Sequence, residues 1–495
     1  MLRSKDTLLL ILMSSLTLVL AVAAAQGPGS KAPGEKPNLP GHVYQTDIDQ
    51  GKLSLNDLAD AGRFLFATEF NLLDGFGRPA ATGNGSPTKR LAGASPFMIR
   101  TSAPETNSCA GCHNKPEVGG AGDFVANVFV IAQVRDPVTD SVSAQFSDER
   151  NTLGMHGSGA IDMLAREMTA DLLAVREAAI EAARSSGAPV TRPLVTKDVS
   201  FGMITARPDG TVDNSHVEGI DTDLIVKPFH QKGVVRSIRE FTVNAYNHHH
   251  GMQAVERFGR ARTGEDDFDE DGVKDELSVG DITAATIFQV SLQTPGQALP
   301  ADPDARRSVE RGEQLFNQTG CASCHRPALI LNNPVYGEPN PYNVPGNLRL
   351  IDVPQPFTFD LTKDGPKPRL EKLPDGRAVV RAFTDLKRHV IADSTDQFFA
   401  NELLIQGGVP LDQFITRKLW DCGSSSPFGH RGDCTTVSEA ILHHGGEGRA
   451  SRDLFAALPD SGKADIINFL KSLQVLPAGS PRVVIAPVHI PRAFR

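Results

Sequence analysis

Two short motifs contain the side chains of this sequence that are best suited to chemistry. Both have the pattern Cys-x-x-Cys-His, and their members are Cys109, Cys112, His113, Cys321, Cys324 and His325. The two thiols of such a motif can bond the two vinyl groups of a porphyrin, and the histidine after them can ligate the iron. Four of the chain's six cysteines lie in these motifs. We therefore predict two covalently bound haem c groups, with His113 and His325 as iron ligands.

Two other uses of paired cysteines explain these motifs less well. A zinc site built from two Cys-x-x-Cys pairs would not need a histidine in the same place after each second cysteine. A thioredoxin-like redox pair would have one motif in a β-α-β setting. Haem attachment is the interpretation that uses every member of both motifs.

The N-terminus has the features of a secretory signal peptide. Arg3 and Lys5 are basic, residues 8–22 form an apolar run, and three alanines then offer a cleavage site. The run could instead stay as a membrane anchor, although it is short for a span. Because bacterial c-type haem attachment takes place outside the cytoplasm, we expect a periplasmic protein. In that oxidising compartment the two remaining cysteines, Cys422 and Cys434, are expected to form a disulfide.

The composition excludes some classes of partner. The formal net charge is −9 and the chain has no basic runs, which argues against nucleic-acid binding. After the N-terminal run no segment is apolar enough to cross a bilayer, so we expect no membrane span once the signal is cleaved. The length of 495 residues indicates two or more domains.

An internal repeat divides the chain into two units. Each unit opens with a helical pattern that contains a Gly-x-x-Leu-Phe arrangement, in residues 53–66 and 307–316. Each unit closes with a second apolar helical pattern, in residues 281–292 and 465–473. A closing helix that packs on the opening helix is how a cytochrome c domain buries its haem. We therefore predict a mainly α protein with two cytochrome c-like haem domains.

The first unit is enlarged by an insertion that should contain some β structure. Residues 124–134 have the pattern of a strand, residues 200–220 that of a hairpin with its turn at 207–210, and residues 150–185 that of a helix. The predicted parts of the chain are a signal peptide (1–25), a linker (26–45), an N-terminal haem domain with the insertion (46–298), a C-terminal haem domain (299–476) and a tail (477–495).

Residues 267–276 resemble a calcium-binding loop of the EF-hand kind. Three aspartates occupy positions one, three and five of the loop, and a glycine follows at position six. Position twelve is Ser278 instead of glutamate, so a later carboxylate would have to complete the ligands: Asp275, Glu276 or Asp281. A solvated acidic turn is the alternative. We expect a structural Ca²⁺ ion here. Its predicted ligands are Asp267, Asp269, Asp271 and Asp275.

The C-terminal part of the sequence resembles a known family. Residues 420–433 and 439–447 are similar to the C-terminal signature of the bacterial di-haem cytochrome c peroxidase superfamily, and most of all to its di-haem oxidoreductase branch. The resemblance extends over most of the mature chain. In the peroxidases a methionine after this signature ligates the electron-transfer haem, and its position falls on His444. The resemblance thus implies that His325 and His444 ligate the second haem. The alternatives to His444 are His443 and His389.

The residues that face the first haem are less determined. Three consecutive histidines lie on a predicted helix, and His248 falls in the middle of its apolar stripe, beside His249 and His250. They could supply a ligand, a proton relay or a ligand that is displaced on activation, or they could be ordinary core residues. The resemblance also implies a distal glutamate that moves the peroxide proton. Glu167 is the nearest candidate, and a surface ion pair is its alternative explanation.

Together these features imply a periplasmic di-haem c-type oxidoreductase. The first haem would reduce H₂O₂, or meet O₂, and the second would relay electrons from a periplasmic electron-transfer protein. A haem-dependent oxygenase related to rubber oxygenases is one alternative. A plain di-haem electron carrier is another, although it would not need the large insertion. Trp420, the only tryptophan, could lie on an electron path or anchor the core.

Overall fold

The computed structural model describes residues 34–77, 106–122, 125–128, 148–269, 271–402 and 405–485. The expected signal peptide lies outside these residues, as do parts of the linker and the tail. Helix makes up 37% and strand 15% of the structure, so the expectation of a mainly α fold is wrong and the protein is mixed α/β. The strands are short segments between the helices, and they pair with one another in several small sheets.

The elements are numbered here in chain order. The helices are α1 (Gln45–Asp49), α2 (Leu55–Ala67), α3 (Cys109–Cys112), α4 (Ser158–Ser186), α5 (Ile238–His250), α6 (Val255–Phe258), α7 (Arg260–Thr263), α8 (Val279–Ser291), α9 (Pro303–Gln318), α10 (Val437–Leu442), α11 (Arg449–Ala457) and α12 (Asp460–Ser472). The strands are β1 (Val125–Val128), β2 (Asp148–Asn151), β3 (Val190–Thr196), β4 (Val199–Ala206), β5 (Val212–Asp213), β6 (Gly296–Ala298), β7 (Leu329–Leu331), β8 (Val335–Glu338), β9 (Phe357–Asp360), β10 (Glu371–Lys372), β11 (Ala378–Val380), β12 (Arg388–Val390), β13 (Gln413–Ile415), β14 (Leu473–Gln474) and β15 (Val484–Ile485).

The opening and closing helices of the first unit, α2 and α8, pack directly against each other. Ser54 and Asp57 form a capping box that starts α2 by satisfying main-chain N–H groups at its N-terminus. At Gly62 the two backbones are so close that a Cβ atom would lie 2.0 Å from the carbonyl oxygen of Ala284. Only glycine permits this approach, which buries Leu58 between the helices. Burial of such a leucine contributes about 1.5–3 kcal/mol.

The second unit repeats this arrangement with α9 and α12. A Cβ atom at Gly312 would lie 2.0 Å from the carbonyl oxygen of Asp465. The same aspartate accepts hydrogen bonds from Ser308 and Arg311 on α9, which fix the two helices in register. The predicted internal repeat is thus confirmed at the level of its paired helices.

The insertion of the first unit contains the predicted strand, hairpin and long helix. Strand β1 pairs antiparallel with β2, and β3, β4 and β5 form an antiparallel sheet in which residues 207–210 are the turn after β4. Helix α4 begins later than predicted, because residues 148–151 pair with β1 instead of starting the helix. The helix then continues to Ser186.

The strands of the second half form further small sheets. Strand β11 lies between β10 and β7, β8 pairs with β9, β12 pairs with β13, and β6 lies between β14 and β15. One apolar core includes buried side chains from both predicted domains, such as Ile161 and Val380, and a smaller core lies around Phe469 between α9 and α12. The domain limits themselves stay a prediction. Within the part of the chain that the structure describes, no helix is both long and apolar enough to span a membrane.

Cys422 and Cys434, which the sequence suggested as a disulfide, both have free thiols in the structure. Burial raises the pKa of each thiol to about 12. The expected disulfide is therefore not formed in this structure.

Candidate functional site

The second Cys-x-x-Cys-His motif opens on a cavity of about 240 Å³ in the C-terminal half, called here the C-terminal cavity. The Nδ1 atom of His325 donates to the main-chain oxygens of Phe383 and Arg417, at 3.2 and 3.1 Å. A carbonyl oxygen can only accept, so the proton is on Nδ1 and the lone pair of Nε2 is available to iron. Burial lowers the pKa of His325 to about 4, which keeps this neutral form at physiological pH.

His444 lies directly after the short turn that follows α10 and lines the same cavity. Its Nδ1 atom donates to the main-chain oxygen of Ala440 at 2.7 Å, which again leaves the lone pair on Nε2. The two imidazoles are near enough for His444 to contribute to the lowered pKa of His325, after burial. The structure therefore brings His325 and His444 together in one cavity. Each imidazole is oriented by a hydrogen bond from Nδ1 to a main-chain oxygen.

His443 lies apart from this cavity. Its ring stacks on Phe398 with the centroids 3.7 Å apart, and its Nδ1 atom is 3.5 Å from the carboxylate of Asp396. The side chain is not part of the cavity lining. His443 thus has a packing role in this structure.

His389 lines the cavity, but both of its ring nitrogens already contact carboxylates, so neither is available to ligate iron. Its Nε2 atom is 2.8 Å from the carboxylate of Asp385, and its Nδ1 atom is 2.7 Å from that of Glu447. Burial opposes a charge here, but the hydrogen bond to Asp385 and the neighbouring Cys324 raise the pKa of His389 to about 11. His389 is therefore an imidazolium held between two carboxylates.

The first Cys-x-x-Cys-His motif opens on a smaller cavity of about 120 Å³, called here the N-terminal cavity. The two cysteines begin and end α3, whose N-cap is Ser108. The Nδ1 atom of His113 donates to the main-chain oxygen of Leu153 at 2.9 Å. Burial lowers the pKa of His113 to about 4, so this imidazole too is neutral with its lone pair on Nε2.

Of the three consecutive histidines at the end of α5, His249 and His250 line the N-terminal cavity and His248 does not. Residues 241, 245 and 249, four positions apart, form the lining stripe of the helix. Two members of the predicted stripe, Phe241 and Ala245, thus belong to the lining, whereas His248 does not. His250 is buried; its Nδ1 donates to the main-chain oxygen of Thr106 at 2.7 Å, and its Nε2 is 3.5 Å from the sulfur of Cys109.

The structure adds two residues to this cavity that sequence reasoning missed. His230 lines it in a backbone conformation with φ of +70°, which is uncommon for a residue with a side chain. Burial lowers the pKa of His230 to about 3. Arg150, whose side chain is buried, also lines the cavity and pairs with the carboxylate of Glu402 at 2.5 Å. Arg150 is the first residue of the helical pattern predicted for residues 150–185, whereas His230 lies in no pattern noted in the sequence.

Glu167 lies away from both cavities. It pairs with Lys197 at 2.6 Å and accepts hydrogen bonds from the main-chain N–H groups of Asn332 and Asn333. These contacts anchor α4 to the loop before β8. Among the residues that the structure describes, no carboxylate side chain lines the N-terminal cavity. Trp420 is buried against Gly157 and lines neither cavity, as expected of a core anchor.

The two cavities share one wall. The side chains or backbones that line both of them are those of Asn151, Leu153, Gln231 and Lys418. This shared wall, named here the dividing wall, includes the carbonyl group that orients His113. The two predicted haem sites are therefore neighbours and not remote parts of the chain.

The predicted calcium loop brings three of its four predicted ligands together. The carboxylate oxygens of Asp267, Asp269 and Asp271 lie within 4.8 Å of one another. Asp275 is exposed and lies outside this group. Of the other carboxylates considered, Asp281 accepts from His42 and caps α8, and Glu276 is buried and accepts from the main-chain N–H of Gln253.

Comparison with known proteins finds one family model that is similar to a segment of the C-terminal half. Residues 379–473 match the family model described as di-haem oxidoreductase, putative peroxidase. The match confirms the predicted resemblance over this segment and supports a general oxidoreductase role with haem cofactors.

One similar solved structure is hydrazine synthase of Kuenenia stuttgartiensis, pressurized with xenon. It is 13% identical, covers 90% of this chain and 98% of its own, and has a TM-score of 0.36, which carries no argument about the fold. No curated protein matches the chain.

Proposed function

We propose that the protein is a periplasmic di-haem c-type oxidoreductase that reduces hydrogen peroxide at its N-terminal cavity with electrons relayed through its C-terminal cavity. The observation that carries the proposal is that two Cys-x-x-Cys-His motifs open on neighbouring cavities with a common wall. Electrons need such proximity to pass between two redox centres. The external electron donor would be a periplasmic electron-transfer protein.

The residues of both cavities fit haem c. Each motif offers two thiols for the vinyl groups and a neutral histidine with its lone pair on Nε2. When bound, the haem groups supply one-electron chemistry and, in the N-terminal cavity, an iron that a small oxidant can reach. In the C-terminal cavity, His444 would hold the iron together with His325 through its free Nε2 lone pair and so exclude small molecules. Because of this difference, we assign electron relay to the C-terminal cavity and peroxide reduction to the N-terminal cavity.

The N-terminal cavity contains side chains suited to the protons of peroxide reduction. The overall reaction consumes one H₂O₂, two electrons and two protons and releases two water molecules. Because no described carboxylate lines the cavity, a histidine would replace the glutamate that the resemblance implies. We assign this role to His249, which lines the cavity on the same helix face as Phe241 and Ala245. Arg150 would keep its charge and stabilise negative charge that develops on oxygen.

We also propose that Ca²⁺ binds the loop of residues 267–276. Three close carboxylates of this loop and the turn at Gly272, with φ of +95°, support the proposal, because Ca²⁺ prefers oxygen ligands arranged around a sharp turn. The loop directly precedes α8, the closing helix of the first unit. An ion there would stabilise the frame of the N-terminal cavity.

The proposed function is tested by spectroscopy and turnover on the holoprotein. Absorption and low-temperature EPR of the ferric and half-reduced states, before and after H₂O₂ addition, should show one high-spin haem that peroxide consumes. His249→Gln should lower peroxide turnover by about 10²-fold or more, as expected for loss of an acid–base group. His248→Gln is the matched control, because this neighbour lies outside the lining and its loss should leave turnover unchanged.

Two low-spin haems in every state, inert to peroxide, would overturn the proposal and leave a di-haem electron carrier. Equal losses of turnover in the His248 and His249 variants would instead overturn the role of His249 alone.

A further inference from the structure

Gln231 connects two chain segments across the dividing wall. Its side-chain Nε2 donates to the main-chain oxygen of Asn151 at 3.1 Å. Its main-chain oxygen accepts from the N–H of Ile415 at 3.2 Å. One residue therefore binds β2 of the insertion with its side chain and β13 of the C-terminal half with its backbone.

These two segments also carry the carbonyl groups that orient the two motif histidines. Leu153, two residues after Asn151, accepts from His113. Arg417, two residues after Ile415, accepts from His325. A continuous path of covalent bonds and four hydrogen bonds thus runs from His113 through Gln231 to His325.

The turn that contains Gln231 is fixed on both sides. His230, before it, has the left-handed φ of +70°, and its Nε2 atom is 3.3 Å from the side-chain nitrogen of Gln406. Lys232, after it, is fully buried, pairs with Glu402 at 3.2 Å and donates to three main-chain oxygens between residues 410 and 413. Release of Lys232 would leave a buried charge without compensation, so the turn is held firmly in place. Gln231 is thereby kept at one position between the cavities.

We propose that Gln231 is a positioning residue that couples the two haem sites electronically. Its two hydrogen bonds would complete a bonded route between the segments that contact the two histidines, and such a route transmits electronic coupling better than gaps between non-bonded atoms do. One electron leaves the site of His325, which is oxidised, and arrives at the site of His113, which is reduced. An external electron donor then reduces the site of His325 again. Every hydrogen bond of the path keeps its proton. The inference rests on the proposed di-haem function.

The test measures electron transfer between the haem groups directly. A photochemical one-electron reductant loads the holoprotein, and transient absorption follows the passage of the electron from the C-terminal to the N-terminal haem. Gln231→Leu, which removes the amide donor and so breaks one of the four hydrogen bonds of the path, should slow this step severalfold. Gln231→Glu keeps the shape of the side chain but lacks the Nε2 donor. It is the test variant if Gln231→Leu does not fold.

Gln297→Leu is the matched control. Its Nε2 donates to Ser472 at 3.1 Å, and it lines neither cavity. This variant should transfer electrons at the unsubstituted rate. The reduction potentials and EPR spectra of both haems should be unchanged in all variants.

The outcomes separate the inference from the function on which it rests. An unchanged rate in both Gln231 variants would overturn the role of Gln231 and leave the proposed relay intact. A slower rate accompanied by a changed potential or axial ligation would overturn electronic coupling and leave a purely structural role. No transfer between the haems of the unsubstituted protein would overturn the relay itself.

Discussion

The C-terminal and N-terminal cavities are built on the same motif but differ on the side that faces it. In both, a motif histidine donates Nδ1–H to a main-chain oxygen and stays neutral. The C-terminal cavity then adds His444 in the same orientation and a charged His389 held by carboxylates. The N-terminal cavity adds the imidazoles of His230, His249 and His250 and the guanidinium of Arg150. The motif side is thus a common frame, whereas the facing side determines what each cavity can do.

A second difference concerns the main-chain carbonyl groups that orient each motif histidine. His325 donates to carbonyl groups of Phe383 and Arg417, and His113 donates to that of Leu153. The partner of His113 belongs to the dividing wall, so its orientation depends on contacts with the C-terminal half. The N-terminal cavity is therefore the more dependent of the two on the rest of the molecule.

The largest expected effect is the loss of His444. His444→Ala should convert one haem from low spin to high spin and raise its reduction potential by on the order of 0.1 V, because an imidazole donor to ferric iron is removed. EPR and spectroelectrochemical titration of the holoprotein measure both changes. His443→Ala is the matched control, since its ring stacks on Phe398 outside the cavity, and it should change neither. An unaltered spectrum in His444→Ala would show that another residue ligates this haem.

An intermediate effect is expected from calcium removal. Chelation should lower the melting temperature, because at 100-fold excess over its dissociation constant an ion that binds only the folded state adds about 2.7 kcal/mol. Asp269→Asn should remove this dependence, since the buried carboxylate belongs to the three-aspartate group. The matched control is Asp375→Asn, in an exposed turn. The melting temperature of this variant should still fall on chelation of calcium. A melting temperature that chelation leaves unchanged in the unsubstituted protein would contradict calcium binding.

The smallest expected effect comes from Glu167. Glu167→Gln should leave peroxide turnover unchanged, because the residue lines neither cavity. The free energy of unfolding should fall by about 1–3 kcal/mol, since Lys197 loses its charged partner and two main-chain N–H groups lose a carboxylate. Chemical denaturation and a peroxide assay measure the two quantities. A large loss of turnover at unchanged stability would restore Glu167 as a catalytic candidate.

The parts of the molecule that sequence could predict are those with local patterns. The four paired helices have apolar residues at helical spacing, and the turn at 207–210 has the residues that such turns require. The Cys-x-x-Cys-His motifs are equally local. The position of His444 in the cavity of His325 followed from the resemblance to a family, and not from any pattern in the chain.

The remaining features depend on contacts between distant segments. Helix α5 presents His249 and not His248 to its cavity, because neighbours far along the chain decide which face is covered. The strands β7 to β13 are two to four residues long, too short for a periodic pattern to be recognised. His230 and Gln231 have no distinguishing sequence context, and their importance appears only once β2 and β13 are placed on either side.

The close pairing of α2 with α8 determines when the first unit can close during synthesis. These helices are separated by roughly 200 residues, so their contact carries a large loop-closure entropy and forms late. Cys109 and Cys112 lie inside that interval, so any reaction that needs both thiols in an open first unit has to precede the contact between α2 and α8. The second motif lies between α9 and α12, whose contact encloses it separately.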